Sequence, residues 1–248
     1  MAPDPIIFFA LFGVVAFMIG LSKGGLGGTL GALAVPLLSL IMPTAQANGL
    51  ALPTQMLADV FAVWFHWKKW DGKLALLLLP GAIAGVTIGT FFIVNVSPSV
   101  LKRGLGVIVL LFVLYKLFEK QILGKMKYKP QAWHGLLTGV VAGFSSALAQ
   151  IGGPPVTIYL LMQDITPRVF IATSALFFFI LNWIKVPYYI YAHILSWQNI
   201  LQIIWLLPVV PVGVWVGKWL ADKLNKETFE YVIIALLALT AILLIVRG

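Results

Sequence analysis

Three charged side chains lie within or at the edge of long apolar segments, and they are the residues best placed to do chemistry. They are Lys23, Asp59 and Lys185. A charge inside hydrocarbon is costly unless it is paired or faces a water-filled cavity, so these side chains should line a polar site. A lysine in such a site would attract an anion, and a carboxylate kept from bulk water could bind and release a proton near neutral pH.

Each charge also has a plainer interpretation. Lys23 could extend to the headgroups from the end of its segment. Lys185 could form a structural ion pair, and Asp59 could be neutral, hydrogen-bonded or paired with a lysine without a role in transport. The sequence leaves these alternatives open.

Two Gly-rich turns accompany the charges. Residues 21 to 36 read LSKGGLGGTLGALAVP, and residues 149 to 155 read AQIGGPP. Free backbone N–H groups and the positive end of a helix dipole bind anions at helix starts. The turns therefore predict these substrate-binding residues: Ser22, Lys23, Gly24, Gly25, Gly27, Gly28, Gln150, Gly152 and Gly153. Alternatively, the glycines only allow helices to pack closely.

Hydroxyl and amide side chains extend the predicted site. Ser174, Asn182 and Lys185 fall on about one helical face, with Thr173 beside them. Thr54 and Gln55 occupy a comparable place in the first half of the chain. Such groups could coordinate the oxygens of an anion, or they could form hydrogen bonds between helices.

A polar helical face surrounds Asp59. Gln55 and Asp59 are four residues apart, and Ala62 and His66 continue the same face. We assign Asp59 and His66 to proton coupling. His66, His134 and His193 do not cluster, so no metal site is predicted, and no cofactor is expected.

Composition identifies the elements that must position these residues. Of 248 residues, 61% are hydrophobic and only 10% are charged, against about 25% charged in soluble domains. The chain is therefore an all-α polytopic membrane protein, because a β-barrel would alternate apolar and polar residues. An enzyme is not expected, since there is no cysteine, the histidines are scattered and only one acid lies well inside a span. ATP-driven transport is not expected either, since there is no GxxxxGK[ST] loop.

Ten apolar segments are predicted, of which the second and seventh are short or broken by Gly and Pro. Each of these two could form a re-entrant hairpin with the segment before it. The segments are 6 to 22, 26 to 42, 48 to 66, 74 to 94, 100 to 118, 132 to 149, 153 to 165, 169 to 191, 199 to 221 and 229 to 247.

The basic residues predict the orientation and explain the net charge of +9 without nucleic acid. One side of the membrane has only Lys102, Arg103 and Arg247. The other side, which should be cytoplasmic, has Lys68, Lys69, Lys73, Lys116, Lys120, Lys125, Lys127, Lys129, Arg168, Lys218, Lys223 and Lys226. Both termini should therefore lie outside.

The chain also repeats itself. Pro80, Gly85 and Gly89 recur 128 positions later as Pro208, Gly213 and Gly217, and Gly13-Val-Val-Ala recurs at residue 139. Five segments separate the copies, and an odd number reverses direction across the membrane. We therefore predict an inverted repeat of two five-segment halves, residues 1–118 and 132–248, joined by a cytoplasmic linker, residues 119–131.

These features resemble the sulfite exporter TauE/SafE family, also called the toluene sulfonate uptake permease family. The resemblance rests on GGLGGTLGALAVPLL, on IGGPP with a later Ala-Thr-Ser, on LPxxxxGxxxG in each half, and on the order of these motifs along nearly the whole chain. The chain departs from the family pattern at Pro154-Pro155, where a third glycine is expected.

The resemblance implies a secondary transporter of small sulfur-containing anions such as sulfite, sulfoacetate or other sulfonates. We predict proton-coupled alternating access in the inner membrane, with export favoured over import. A passive anion channel of the same fold and an uptake permease are the alternatives. The expected partners are the anion, protons and the lipid bilayer, and small-residue faces are compatible with a homodimer.

Overall fold

The structure is a computed structural model that describes residues 4–26, 28–125, 130–220 and 223–248. Within these ranges the chain is helical and has no strand. The helices are α1 (Pro5–Leu21), continued by a π-helical turn (Ser22–Leu26), α2 (Gly28–Gly31), α3 (Ala34–Ser39), α4 (Thr44–Phe65), α5 (Gly72–Asn95), α6 (Pro98–Lys125), α7 (Ala132–Ala149), α8 (Gly153–Leu161), α9 (Pro167–Tyr191), α10 (Trp197–Ile203), followed by a 3₁₀ turn (Ile204–Leu206), α11 (Val209–Leu220) and α12 (Lys226–Arg247).

Polar side chains at the loops start several helices. The Asp4 carboxylate accepts a hydrogen bond from the Ile6 amide at 2.8 Å, and the Asp71 carboxylate accepts one from the Lys73 amide at 2.9 Å. Such bonds satisfy backbone donors that have no partner in the first turn. The acids near the loops therefore begin α1 and α5 at the residues where the apolar sequence starts.

The length and composition of the helices confirm a multi-pass membrane protein. Among the described residues, five helices are long and apolar enough to cross a bilayer. A sixth span results if α10 and α11, which meet at a 50° bend, are counted as one. The segments predicted at 48 to 66 and 100 to 118 form α4 and α6. These two helices have 22 and 28 residues but carry more polar side chains.

The second segment of each half is short. The segment predicted at 26 to 42 forms two helices, of four and six residues, and the segment predicted at 153 to 165 forms the nine-residue α8. A nine-residue helix is about 13 Å long, less than half of the hydrocarbon thickness. Neither segment is therefore a complete helical span. At the other end of the first half, α6 continues to Lys125 and so extends into the predicted linker.

Glycines bring two pairs of helices close together. A Cβ atom on Gly139 of α7 would lie 2.1 Å from the Leu78 carbonyl oxygen of α5. A Cβ atom on Gly20 of α1 would lie 2.3 Å from the Val210 carbonyl oxygen of α11. We call these two contacts, α5 with α7 and α1 with α11, the glycine seams. Small residues let membrane helices approach to backbone contact.

The repeated prolines and glycines found in the sequence lie in these seams. Gly85 and Gly89 face α7, whereas Gly213 and Gly217 face α1. Pro80 is inside α5, but Pro208 lies at the bend before α11. The same sequence pattern thus gives one continuous helix in the first half and one bent pair in the second.

Large apolar side chains cover the outside of the bundle. Phe91 on α5 and Trp215 on α11 are 69% and 71% exposed. In water such side chains would be costly, but in a bilayer they face acyl chains. The buried side of the bundle instead collects the polar residues described below.

The close contact in the glycine seams predicts that a methyl group added to a seam glycine lowers stability. We expect Gly139→Ala to lower the free energy of unfolding by about 1 to 3 kcal/mol, because the new Cβ must displace the α5 backbone. Gly104→Ala is the matched control, since nothing lies within 4 Å of a Cβ there. Thermal unfolding in detergent would measure both, and equal melting temperatures for the two variants would contradict the close contact.

Candidate functional site

Lys23 and Asp59 form an ion pair inside the bundle. Nζ of Lys23, in the π-helical turn that ends α1, lies 2.6 Å from Oδ1 of Asp59 on α4. The Asp59 side chain is completely buried, and the Lys23 side chain is 24% exposed. A buried carboxylate requires a nearby cation or several hydrogen bonds. The π-helical turn supplies the cation at the place where Asp59 needs it.

Asn182 on α9 joins this pair. Its side-chain amide nitrogen donates a hydrogen bond of 2.6 Å to Oδ2 of Asp59. A carboxylate only accepts, so the Asn182 nitrogen must face Asp59 and its oxygen must face elsewhere. That oxygen, Oδ1, is buried and has no hydrogen-bond partner among the described residues. The network therefore crosses from the first half of the chain to the second and leaves one acceptor free.

Lys185, three residues after Asn182, is fully buried on the same helix. Its Nζ donates to Oγ of Ser146 at 3.0 Å and to Oε1 of Gln150. Both acceptors are neutral. One turn later, the Tyr189 hydroxyl donates to the Ala147 carbonyl at 2.7 Å and so holds α9 against the end of α7.

The whole network has one more formal positive charge than negative charge. It contains two lysines, Lys23 and Lys185, and one carboxylate, Asp59. Lys185 lies about one helical turn from Asn182, which donates to Asp59, so both sets of contacts meet on α9. Because Asp59 already pairs with Lys23, the charge of Lys185 is left without a carboxylate of its own. An anion is the solute that such a site attracts.

The glycines of the two turns divide into two groups. Gly24 and Gly152 fit the packing alternative, since a Cβ atom would lie 2.3 Å from the Val214 carbonyl oxygen and 2.8 Å from the Ala142 carbonyl oxygen, respectively. Gly28 and Gly153 have nothing within 4 Å of that position.

The first turn also contains a strained backbone position. Gly25 has a φ of 136°, which only glycine adopts readily, and it breaks the helix after Lys23. Gly27 lies outside the described residues. A role of these glycines in binding stays a prediction.

The second turn offers few backbone donors. The first three residues of α8 are Gly153, Pro154 and Pro155, and proline has no N–H group. Two of the amides that could bind an anion at this helix start are therefore missing. Side chains, above all Lys185, must supply the attraction in this half.

The remaining predicted site residues lie in the π-helical turn, on or at the end of α4, and on α9. Thr54 donates to the Leu50 carbonyl of its own helix at 3.2 Å. Thr173 accepts from the Asp71 amide at 2.9 Å, so it ties α9 to the start of α5. His66 ends α4, with Nδ1 2.9 Å from the Ala62 carbonyl oxygen. Ser22 and Gln55 are buried, and Ser174 is half-buried.

Ser146 is not among the site residues predicted from the sequence. It lies four residues before Gln150, the residue that ends α7, so helical spacing from a predicted site residue could have identified it. Phe178 was also missed: its ring centroid lies 5.2 Å from Nζ of Lys23. An aromatic ring in a phenylalanine-rich apolar helix gives no signal of this contact.

A second polar cluster lies beside the first Gly-rich turn. Nζ of Lys116 on α6 contacts Oε2 of Glu119 at 2.6 Å and Oε1 of Glu230 on α12 at 2.7 Å. Thr29 of α2 donates to the same Glu230 oxygen at 3.2 Å. A cavity of about 220 Å³ adjoins this cluster, and its lining includes Gly28, Thr29, Lys116 and Glu230.

The fold and the charged network define a class of protein, the multi-pass helical membrane proteins that hold a polar site inside the bundle. The family model described as "Sulfite exporter TauE/SafE" matches residues 12–244, which is nearly the whole chain. The chain therefore belongs to the TauE/SafE family of membrane transporters of the sulfite-exporter type. Comparison with curated proteins and with solved structures gives no significant match.

The ion pair predicts a double-mutant result. Lys23→Met should lower the free energy of unfolding by about 2 to 4 kcal/mol, because it leaves the Asp59 carboxylate buried without a cation. Adding Asp59→Asn should recover most of this loss, since the uncompensated charge is removed as well. Denaturant unfolding in detergent measures each variant, with Lys218→Met as the control at an exposed lysine. Additive losses in the double variant would contradict the pair.

Proposed function

We propose that this protein is a secondary transporter that carries small sulfur-containing anions, such as sulfite, sulfoacetate or other sulfonates, across the inner membrane by alternating access. Export is the favoured direction. The observation that carries the proposal is Lys185, a fully buried lysine whose two hydrogen-bond acceptors, Ser146 and Gln150, are neutral. Membership of the TauE/SafE family supports the chemical class of the substrate.

We also propose that the two halves form an inverted repeat around the site. Four helix contacts support this arrangement, because exchanging the halves maps the set of contacts onto itself. The first helix of each half packs against the fourth segment of the other, as α1 with α11 and α7 with α5. The third and fifth segments pack against their counterparts, as α4 with α9 and α6 with α12. The polar network lies where α4 and α9 meet.

Within this site we assign anion binding to Lys185, Ser146, Gln150 and Asn182. Lys185 provides the charge, and the side-chain amides and hydroxyl provide directional hydrogen bonds to oxygens. Sulfite and sulfonate groups present three oxygens on one sulfur, which suits several donors that converge on one point. Lys23 would add a second cation when its carboxylate partner is neutralised.

Asp59 provides a route for proton coupling. A proton on Asp59 would remove its negative charge, end the ion pair with Lys23 and raise the formal charge of the network from one to two. Proton and anion would then strengthen each other's binding and move in the same direction. The gradients of both solutes would set that direction. Net export therefore requires an outward concentration gradient of the substrate that exceeds the inward proton gradient.

Flux through proteoliposomes tests the proposal. We expect acid outside to drive accumulation of radiolabelled sulfite or sulfoacetate above the external concentration. A passive channel would only equalise the two sides. Lys185→Gln should lower the initial rate about tenfold or more, because the buried charge that binds the anion is lost. Lys218→Gln, at an exposed lysine, should keep the wild-type rate.

Two outcomes would overturn this proposal. One is a wild-type protein that moves none of the anions tested. The other is an unchanged rate in Lys185→Gln when its melting temperature shows that the variant is folded.

The proposed orientation has its own test. The chain contains no cysteine, so single cysteines can be introduced without background labelling. Ser97→Cys, between α5 and α6, should react with a membrane-impermeant maleimide in intact cells. Lys73→Cys, at the start of α5, should react only after permeabilisation. The reverse labelling pattern would place both termini inside.

A further inference from the structure

The two halves of the chain contain equivalent contacts, but the buried charged residue is an aspartate in the first half and a lysine in the second. Asp59 and Lys185 are 126 positions apart (185 − 59), the same offset that relates Gly13 to Gly139 (139 − 13). Each is contacted by a residue from the turn after the first helix of its own half. In the first half this contact is Lys23 to Asp59, and in the second half it is Gln150 to Lys185.

The two contacts differ in how the charge is compensated. In the first half a cation meets a carboxylate, so the pair is neutral. In the second half the cation meets a neutral amide of almost the same size as a glutamate. The residue at position 150 therefore decides whether the whole network carries one excess positive charge or none.

The backbone at Gln150 indicates that its side chain is needed there. Gln150 ends α7 with φ 59° and ψ 26°, the left-handed conformation that glycine usually adopts after a helix. Non-glycine residues in this conformation are uncommon, and such strain occurs often at ligand sites. Glycine would relieve the strain but would leave Lys185 without this partner.

Gln150 also has a donor to offer. An ammonium group only donates, so the Gln150 carbonyl must face Lys185 and its NH₂ group must face elsewhere. That nitrogen, Nε2, is buried and has no hydrogen-bond partner among the described residues. Buried donors without a partner are rare in proteins, and a ligand oxygen is one way to satisfy them.

We propose that Gln150 selects the charge of the transported anion: with Lys185 it forms a subsite for an oxyanion group of one negative charge. This inference rests on the proposed function and names its substrate class. While Asp59 is ionised and paired with Lys23, the buried network has one excess positive charge, which a monoanion such as a simple sulfonate or hydrogen sulfite balances. A dianion such as sulfoacetate would leave one negative charge uncompensated in that state, which low dielectric makes unfavourable, and would be balanced only with a proton on Asp59.

Binding of two probes tests this selection. Methanesulfonate carries one charge and methanedisulfonate carries two, with the same oxygen chemistry. Isothermal titration of the purified wild-type protein should show tighter binding of methanesulfonate, by about tenfold or more. Gln150→Glu should weaken methanesulfonate binding by about tenfold or more, because the new carboxylate competes for Lys185. Gln121→Glu, the same change at an exposed position on α6, should leave binding unchanged.

A second substitution checks that charge is the cause. Asp59→Asn in the Gln150→Glu background returns the network to one excess positive charge. We expect it to recover methanesulfonate binding by about threefold or more. Gln150→Gly keeps the charge but removes the donor, so it should also weaken methanesulfonate binding.

The outcomes separate this inference from the proposed function. If the wild-type protein binds neither probe and moves no sulfur anion, the proposed function fails. If it binds both probes equally, prefers the dianion, or keeps its affinity in a folded Gln150→Glu variant, the charge selection fails and the transport function stands. No recovery in the double variant would also overturn charge selection.

Discussion

The charge balance around Asp59 is the constraint on which the rest of the structure depends. A fully buried carboxylate on α4 must be compensated, and both compensating groups come from elsewhere in the chain. Lys23 reaches it from the turn after α1, and Asn182 reaches it from α9. These contacts hold the first Gly-rich turn against α4 and join the halves at their centre. With Asp59 already paired, Lys185 keeps its charge for a solute.

The glycine seams make that charge balance possible. Lys23 follows α1, which lies against α11, and Gln150 follows α7, which lies against α5. Backbone contact along both seams removes solvent from the helix faces that touch. Asp59, Asn182 and Lys185 are buried, so these polar side chains must pair with each other or with a ligand. Small residues on the helix faces thus determine how strongly the buried charges interact.

Much of the fold and part of the site could be predicted from sequence, for different reasons. Asp59 and Lys185 were identifiable because an ionisable side chain in an apolar segment is costly and usually has a functional or structural role. Their partners were not, since Asn182 and Asp59 are 123 positions apart and nothing local brings them together. The bend before α11 was also hidden, because the matching proline in α5 leaves that helix unbroken. The apolar runs located the segments, but they did not predict how the short segments fold.

The seams form between helices made at different times. Helices α5 and α7 are close in the sequence and are made in close succession, whereas α1 is made well before its partner α11. The glycine face of α1, with Lys23 just beyond its end, is therefore without its partner helix in the bilayer until α11 is inserted. The α1–α11 seam therefore forms after the α5–α7 seam, and the site is complete only once α9 and α11 have been inserted.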